Sequence, residues 1–193
     1  MKQDKPEPLI EFLYALRQKN DRAALAALRH SLAFEPGEDL KVFRYVERFV
    51  GKDVPAQSAR RRALYAVAGL FALHPEVDGR SFAAAFGELV RRRIVRGSEP
   101  DKNRPSTERR FMALLEADAD SVLPHLRQAV NLLAREGLGY DHAGLLFDLF
   151  GLLSDRAAPD WRDDIKRTWA RQFYRALQIK PADEGTADLI NVQ

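Results

Sequence analysis

The side chains that point most directly to chemistry in this sequence are arginines, which recur in clusters and at helical spacing. From Arg80 to Arg110 there are nine basic residues against four acidic ones, so this window carries +5, more than the +3 of the whole 193-residue chain. An arginine presents a planar fork of N–H donors that fits a phosphate bidentately, whereas a lysine offers a point charge. The pattern is typical of a surface that follows a nucleic-acid backbone.

The candidate nucleic-acid-binding residues are arginines from this window and from other segments with clustered or helically spaced arginines. They are Arg44, Arg60, Arg61, Arg91, Arg92, Arg93, Arg109, Arg110, Arg127, Arg167 and Arg171. Arg60 and Arg61 lie where a predicted helix begins, and cations there oppose the helix dipole, so their position invites a functional explanation. The alternative is that such charge runs are the solvated faces of amphipathic helices.

Motifs that would nominate an enzyme are absent from the sequence. Because it contains no cysteine, the chain has no disulfide, no thiolate metal site and no cysteine nucleophile. It also lacks the glycine motifs of dinucleotide-binding and P-loop proteins, and no serine lies in a nucleophile elbow. We therefore expect a protein that is not an enzyme and that uses neither a metal nor a cofactor.

Two weaker candidates for metal chemistry have structural explanations as well. Four histidines are too far apart in the sequence to form a ligand motif such as HExxH, and we expect them at the surface or at helix ends. They are His30, His74, His125 and His142. Asp118 and Asp120 could bind a hard cation, but two carboxylates on a short loop more often cap the following helix.

Helices must position these side chains, because apolar residues recur at helical spacing along almost the whole chain and no sustained period-two alternation occurs. The sequence predicts an all-α fold, a bundle of about eight to nine helices in two closely packed lobes. The predicted N-caps are Asp21, Ser58, Ser81, Asp141 and Asp160. Phe111, Trp169 and Phe173 fall at core spacing. Tyr140 and Trp161 lie near helix ends and are the aromatic candidates for base stacking.

The strongest boundary in the chain is the polar segment GSEPDKNRP at residues 97–105, which holds one glycine and two prolines. As a connecting loop it separates a predicted N-terminal lobe, residues 1–96, from a predicted C-terminal lobe, residues 106–180. Residues 181–193 have no periodicity and are predicted to form a flexible tail. Residues 1–96 carry 18 basic and 12 acidic side chains, whereas the remainder carries 13 and 16, so charge is polarised along the chain.

No segment has the pattern of an export signal or of a membrane span. The first residues, MKQDKPEP, lack the apolar core of a signal peptide, and no run approaches the roughly 18 apolar residues of a span. We therefore expect a soluble, cytoplasmic protein without a membrane partner.

Four segments, in order along the chain, resemble the CasB family, the small subunit of the type I-E CRISPR Cascade surveillance complex. The ERRF and WARQFY pieces are the most specific, and none of the segments is a catalytic motif. The segments are VFRYVERFVG (42–51), GRSFAAAFGEL (79–89), STERRFMALLEADADSVLPHLRQAVNLL (106–133) and KRTWARQFY (166–174).

The resemblance implies a non-catalytic subunit, present in two copies along a crRNA-guided complex. It implies contacts with the large subunit, the backbone subunits and a second copy, and a role in steadying crRNA, target DNA and the displaced strand of the R-loop. The family's basic residues carry over onto Arg44, Arg109, Arg110 and Arg127 by position, and Arg167 and Arg171 fall in the matching C-terminal piece. Because the guide RNA reads sequence by pairing, arginines without a base-reading element are sufficient for this role.

Two other classes of function stay open at this point. One is a helical adaptor that contacts proteins only, its arginines meeting acidic patches on partner subunits. The other is a helix-turn-helix regulator, which would prefer a defined duplex sequence.

Overall fold

The all-α prediction is confirmed by the computed structural model, which describes residues 7–97, 106–154 and 159–178. All regular structure in these ranges is helical. The α-helices there are α1 (Pro8–Gln18), α2 (Arg22–His30), α3 (Phe43–Val50), α4 (Ala59–Leu73), α5 (Phe82–Val95), α6 (Ser106–Glu116), α7 (Val122–Arg135), α8 (His142–Leu152) and α9 (Pro159–Gln178). Most of the predicted connecting loop, residues 98–105, and the predicted tail, residues 181–193, lie outside the described residues.

Four of the five predicted N-caps are confirmed. Backbone N–H groups of the first turn donate to the side chains of Asp21, Ser58, Ser81 and Asp141. Each such bond satisfies a donor that has no partner inside the helix. The prediction for Asp160 is wrong, because α9 begins one residue earlier, at Pro159. A proline fits the first helical position, where its missing N–H would have no helical partner.

The central helix of the fold is α4, in which every residue from Ala63 to Ala72 is buried. It contacts α1, α2, α3, α7 and α8. Neighbours around most of its circumference explain why this helix is apolar on all sides rather than amphipathic. One buried apolar cluster contains residues from both sides of the segment 98–105, and the division into two lobes stays a prediction.

A second extensive contact joins α5 to α9. Gly87 lets the two helices approach closely, because a Cβ atom there would collide with the backbone carbonyl of Phe173. The Phe173 ring stacks on Phe111 of α6 with centroids 4.2 Å apart, and Phe111 stacks on Phe86 of α5 at 5.6 Å. This aromatic stack fixes α6 and α9 beside each other.

Candidate nucleic-acid interface

The helices α6 and α9 lie side by side and run in opposite directions. Near the end of α9 the Tyr174 hydroxyl donates to Glu108, near the start of α6, at 2.9 Å. In the first half of α9, Lys166 donates to the carbonyl of Ala117, just after α6, at 2.8 Å. The start of α6 is therefore beside the end of α9. This arrangement brings the ERRF arginines close to the last arginines of α9.

We call this end of the helix pair the basic end: Arg109, Arg110, Arg171 and Arg175. All four residues are exposed. None of them forms an ion pair with another residue that the structure describes, and Arg171 donates to Thr168 Oγ1 at 3.1 Å. An unpaired guanidinium can bind a phosphate oxygen without first giving up a carboxylate. Arg175 was not among the predicted site residues, although it continues the spacing of four residues from Arg167 and Arg171.

The opposite end of the same helix pair is acidic. Glu116, Asp163 and Asp164 are exposed there. The predicted site residue Arg167 lies at this end, and its guanidinium is 2.8 Å from Asp164. The exposed carboxylates and the unpaired guanidinium groups therefore lie at opposite ends of the helix pair.

Two arginines of the α5 cluster are bound to a carboxylate within the same helix. Arg91 donates to both oxygens of Glu88 at 2.8 and 2.7 Å, and Arg92 donates to the same residue at 2.7 Å. Burial tends to raise the pKa of Glu88, but the hydrogen bonds and charges of the two arginines outweigh it and hold that pKa below its ordinary value. The structure thus places one negative charge against two of the predicted site residues.

A second carboxylate, from the residue that follows α7, lies beside the end of α5. Glu136 lies 3.4 Å from Arg93 and 2.9 Å from Arg96, and Arg93 also donates to Thr107 Oγ1 at 3.1 Å. Much of the positive charge that the sequence concentrates before residue 97 is therefore neutralised locally. Within the window from Arg80 to Arg110, Arg109 and Arg110 have no carboxylate partner among the described residues.

Arg61 is part of the N-terminal packing. Its side chain is 12% exposed and donates to Glu47 at 2.6 Å. Glu47 also accepts from the Tyr65 hydroxyl at 2.6 Å, and burial together with this bond raises the pKa of Tyr65. The guanidinium of Arg61 also lies over the rings of Phe43 and Tyr65. These contacts hold α3 against α4.

The other three predicted arginines are exposed in different places. Arg44 on α3 has its guanidinium 5.0 Å from the centre of the Tyr45 ring and no ion pair with a described residue. Arg60 is 3.5 Å from Glu7. Arg127 donates to the carbonyl of Leu32 at 2.6 Å. These three residues do not join the basic end, and their part in nucleic-acid binding stays a prediction.

The family is decided by sequence comparison. A family model for the CRISPR-associated protein Cse2 matches residues 24–174. This chain belongs to the Cse2 family. A curated Cse2 protein from Thermus thermophilus is 40% identical over 173 residues, which are 88% of this chain and 90% of that protein.

Solved structures agree with the Cse2 assignment. The crystal structure of CasB from Thermus thermophilus is 37% identical, with a TM-score of 0.68 over 88% of this chain and 97% of that chain. The resemblance to the CasB family is therefore confirmed. A chain described as belonging to a CRISPR RNA-guided surveillance complex has a TM-score of 0.64 at 24% identity over 88% of this chain and 95% of that one, and it shares the fold.

The largest fully buried side chains of this Cse2-family protein are aromatic. Phe111, Trp169 and Phe173 are buried as predicted. The prediction that Tyr140 could stack on a base is wrong, because its side chain is fully buried against Phe82 and His142, and burial raises its pKa.

Trp161, the second stacking candidate, is 36% exposed. Its ring lies 6.0 Å from that of Phe147, which is 50% exposed. No sequence signal marked Phe147, because it follows the buried Leu145 and Leu146 in an apolar helix.

Two histidines of the Cse2-family protein lie at helix ends, as predicted, and both are buried. His74 ends α4 and donates a ring N–H to the carbonyl of Leu138 at 2.8 Å, while His142 begins α8 and donates to the carbonyl of His74 at 3.0 Å. Burial lowers the pKa of His142 to about 4. Asp118 accepts from the backbone N–H of Ser121 at 2.9 Å, which closes the loop before α7. The expectation that it caps this helix is wrong, because no side chain accepts from the first turn of α7.

The described residues contain neither a cluster of metal-ligating side chains nor a membrane-spanning helix. No group of three or more metal-ligating side chains occurs in that part of the chain. No helix there is long and apolar enough to cross a membrane.

Proposed function

We propose that this Cse2-family protein is a non-catalytic subunit of a crRNA-guided Cascade surveillance complex in the cytoplasm. In this proposal it holds crRNA, target DNA and the displaced R-loop strand without reading their sequence. Its partners are the large subunit, the backbone subunits and a second copy of itself. Family membership and the shared fold with a chain from an RNA-guided surveillance complex support the assembly.

The basic end is the observation that carries the nucleic-acid part of the proposal. Arg109, Arg110, Arg171 and Arg175 lie on two adjacent antiparallel helices, exposed and without carboxylate partners among the described residues. Phosphate contacts of this kind give affinity that depends on salt and not on base sequence. The base pairing of a guide RNA would supply the sequence recognition that this surface lacks.

The remaining predicted arginines have smaller roles in the proposal. Arg91, Arg92 and Arg93 would contact phosphate only in exchange for Glu88 or Glu136. Arg44 is exposed and would make a second phosphate contact. The guanidinium groups of four other arginines already contact carboxylate or carbonyl oxygens of this chain: Arg60, Arg61, Arg127 and Arg167.

The adaptor alternative rests on a specific observation, the exposed pair of Phe147 and Trp161 near the exposed acids Asp160, Asp163 and Asp164. Aromatic side chains are enriched at protein interfaces. In that alternative the arginines contact partner subunits, and their substitution weakens assembly rather than DNA retention.

The decisive experiment compares two double variants of equal charge change in the assembled complex. Arg109→Ala/Arg110→Ala removes unpaired cations, and the control Arg91→Ala/Arg92→Ala removes cations that share Glu88. We expect the first variant to release R-loop DNA faster and to lower the slope of log affinity against log salt by about 1.4 for a single strand. The control is expected to change the slope much less.

Two results would contradict the proposal. If the first variant holds R-loop DNA as long as the unmodified protein does, the basic end is not the binding surface. If it instead lowers subunit stoichiometry while the remaining complex retains DNA normally, the arginines contact protein and the adaptor function is correct.

A further inference from the structure

A groove on the described part of the molecule lies between the segment 31–38, α4 and α7. Its volume is about 630 Å³. Its walls are largely apolar, with Leu32, Phe34 and Pro36 on one side, Leu70 at the base and Leu123 on the other side. Phe34 stands at the edge and is 47% exposed. None of the arginines of the basic end lines this groove.

The wall formed by segment 31–38 is held in place by hydrogen bonds. Arg127 donates to the carbonyl of Leu32 at 2.6 Å, and the N–H of Glu38 donates to the carbonyl of Glu35 at 3.0 Å. Gly37 has a φ of +94°, and the Nε atom of Arg61 would lie 3.2 Å from a Cβ atom there. The turn thus rests directly on Arg61. A groove already formed in the free protein spares a ligand the entropy of ordering this wall.

The charges around the groove are mainly negative. Glu35 and Glu38 lie on the segment side, and Asp120, with its side chain 94% exposed, lies at the start of α7. Arg127 is the one cationic residue of the lining, and its guanidinium is bound to the Leu32 carbonyl. Behind the rim, Arg62 is 3.9 Å from Asp120. A phosphate backbone would be repelled here, although the chain as a whole carries +3.

We propose that this groove binds an extended segment of a partner protein. The segment inserts apolar side chains beside Phe34 and carries lysine or arginine on both sides of them. Carboxylates on both rims complement such flanking cations, and the apolar walls complement the central side chains. The side-chain amides of the exposed Gln128 and the half-buried Asn131 can form hydrogen bonds with the backbone of the bound segment. The inference goes beyond the nucleic-acid role, because it concerns a different surface and a protein ligand.

The test uses the full 21.9 kDa chain and three short synthetic peptides, followed by amide NMR shifts. The first peptide has two leucines between pairs of arginines, the second replaces the arginines by glutamate, and the third replaces the leucines by serine. We expect the first peptide to shift the amides of Phe34, Leu123 and Asn131 and to bind at least about tenfold more tightly than either control peptide. Equal binding of the three peptides, or shifts confined to other surfaces, would overturn the proposal.

Matched variants test the two parts of the recognition. Glu35→Lys/Glu38→Lys is expected to weaken binding of the first peptide about tenfold. The control Glu11→Lys/Glu116→Lys makes the same change in net charge at exposed residues outside the groove and should leave binding unchanged. Phe34→Ser removes the edge of the apolar wall and is also expected to weaken binding. Phe34, Glu35 and Glu38 are all exposed, so these substitutions should leave the fold intact.

Other occupants give distinct results in the same spectra. A dT oligonucleotide that shifts the groove amides would show a nucleic-acid site. Shifts at these amides that depend on protein concentration alone would show a second copy. Either result would overturn the proposal without bearing on the basic end.

Discussion

The substitution Asp148→Asn probes a buried carboxylate whose effect on stability opposes that of a buried histidine. Asp148 accepts a hydrogen bond from the indole N–H of Trp169 at 2.6 Å. Burial raises its pKa from 3.8 to about 6, with a smaller rise from the charge of Asp141, against the lowering effect of the Trp169 bond. His142 on the same helix changes in the other direction, since burial lowers its pKa from 6.5 to about 4.

The two shifts have opposite consequences between pH 4 and 6. The folded protein binds the Asp148 proton more tightly than the unfolded chain does, so its contribution is present at low pH and is lost as pH rises through about 6. The folded protein binds the His142 proton less tightly, so stability increases as pH rises from about 4 to 6.5. Each difference corresponds to about 3 kcal/mol, so the two contributions nearly cancel in the unmodified protein.

Asparagine at position 148 removes one of the two contributions. Its side-chain oxygen can still accept from Trp169, and it does not ionise. The unfolding free energy of Asp148→Asn should therefore rise by about 3 kcal/mol between pH 4 and pH 6.5, while that of the unmodified protein changes little over this range. At pH 7 the variant should be more stable by about 3 kcal/mol, which corresponds to roughly 6–12 °C in Tm.

Urea unfolding at a series of pH values between 4 and 7, followed by circular dichroism, measures these differences. The control is Asp163→Asn, an exposed carboxylate on α9, which should follow the unmodified protein at every pH. If Asp148→Asn also follows the unmodified protein at every pH, the carboxylate is not destabilised by burial and the argument is refuted.

Two further predictions concern the packing of Gly87 and the ion pairs of Arg91 and Arg92 with Glu88. Gly87→Ala should lower the free energy of unfolding by about 1–3 kcal/mol, because its Cβ would collide with the Phe173 carbonyl. The control Gly79→Ala has open space around its Cβ and should leave the free energy of unfolding unchanged. Thermal unfolding of both variants measures the difference, and an unchanged Tm for Gly87→Ala would contradict the close contact. Glu88→Gln removes the carboxylate shared by Arg91 and Arg92, and each arginine that then gains a phosphate should steepen the log–log salt dependence of DNA binding by about 0.7. Salt titrations of DNA affinity measure this slope, and an unchanged slope would show that these arginines do not reach the bound strand.

The sequence by itself determined the helical fold and four of the five N-caps predicted for it. Helix formation depends on neighbours within one or two turns, so the apolar spacing and the caps Asp21, Ser58, Ser81 and Asp141 were sufficient. The wrong cap, Asp160, lies inside the first turn of α9, which begins at Pro159. Short motifs can be recognised without tertiary information, and the four segments that resemble the CasB family all lie within the matched residues 24–174.

Tertiary structure decided which arginines have carboxylate partners and which stay exposed without one. Glu136 reaches Arg93 and Arg96 from 43 and 40 residues away in the sequence, so no local pattern predicts this neutralisation. The antiparallel packing of α6 and α9 likewise places Arg109 and Arg175 at the same end of the helix pair, because their sequence neighbours Glu108 and Tyr174 share a hydrogen bond. Whether Tyr140 faces solvent or the core depended on the same long-range packing. Charge and exposure at a site are sums over all neighbours in space, and only the folded chain specifies those neighbours.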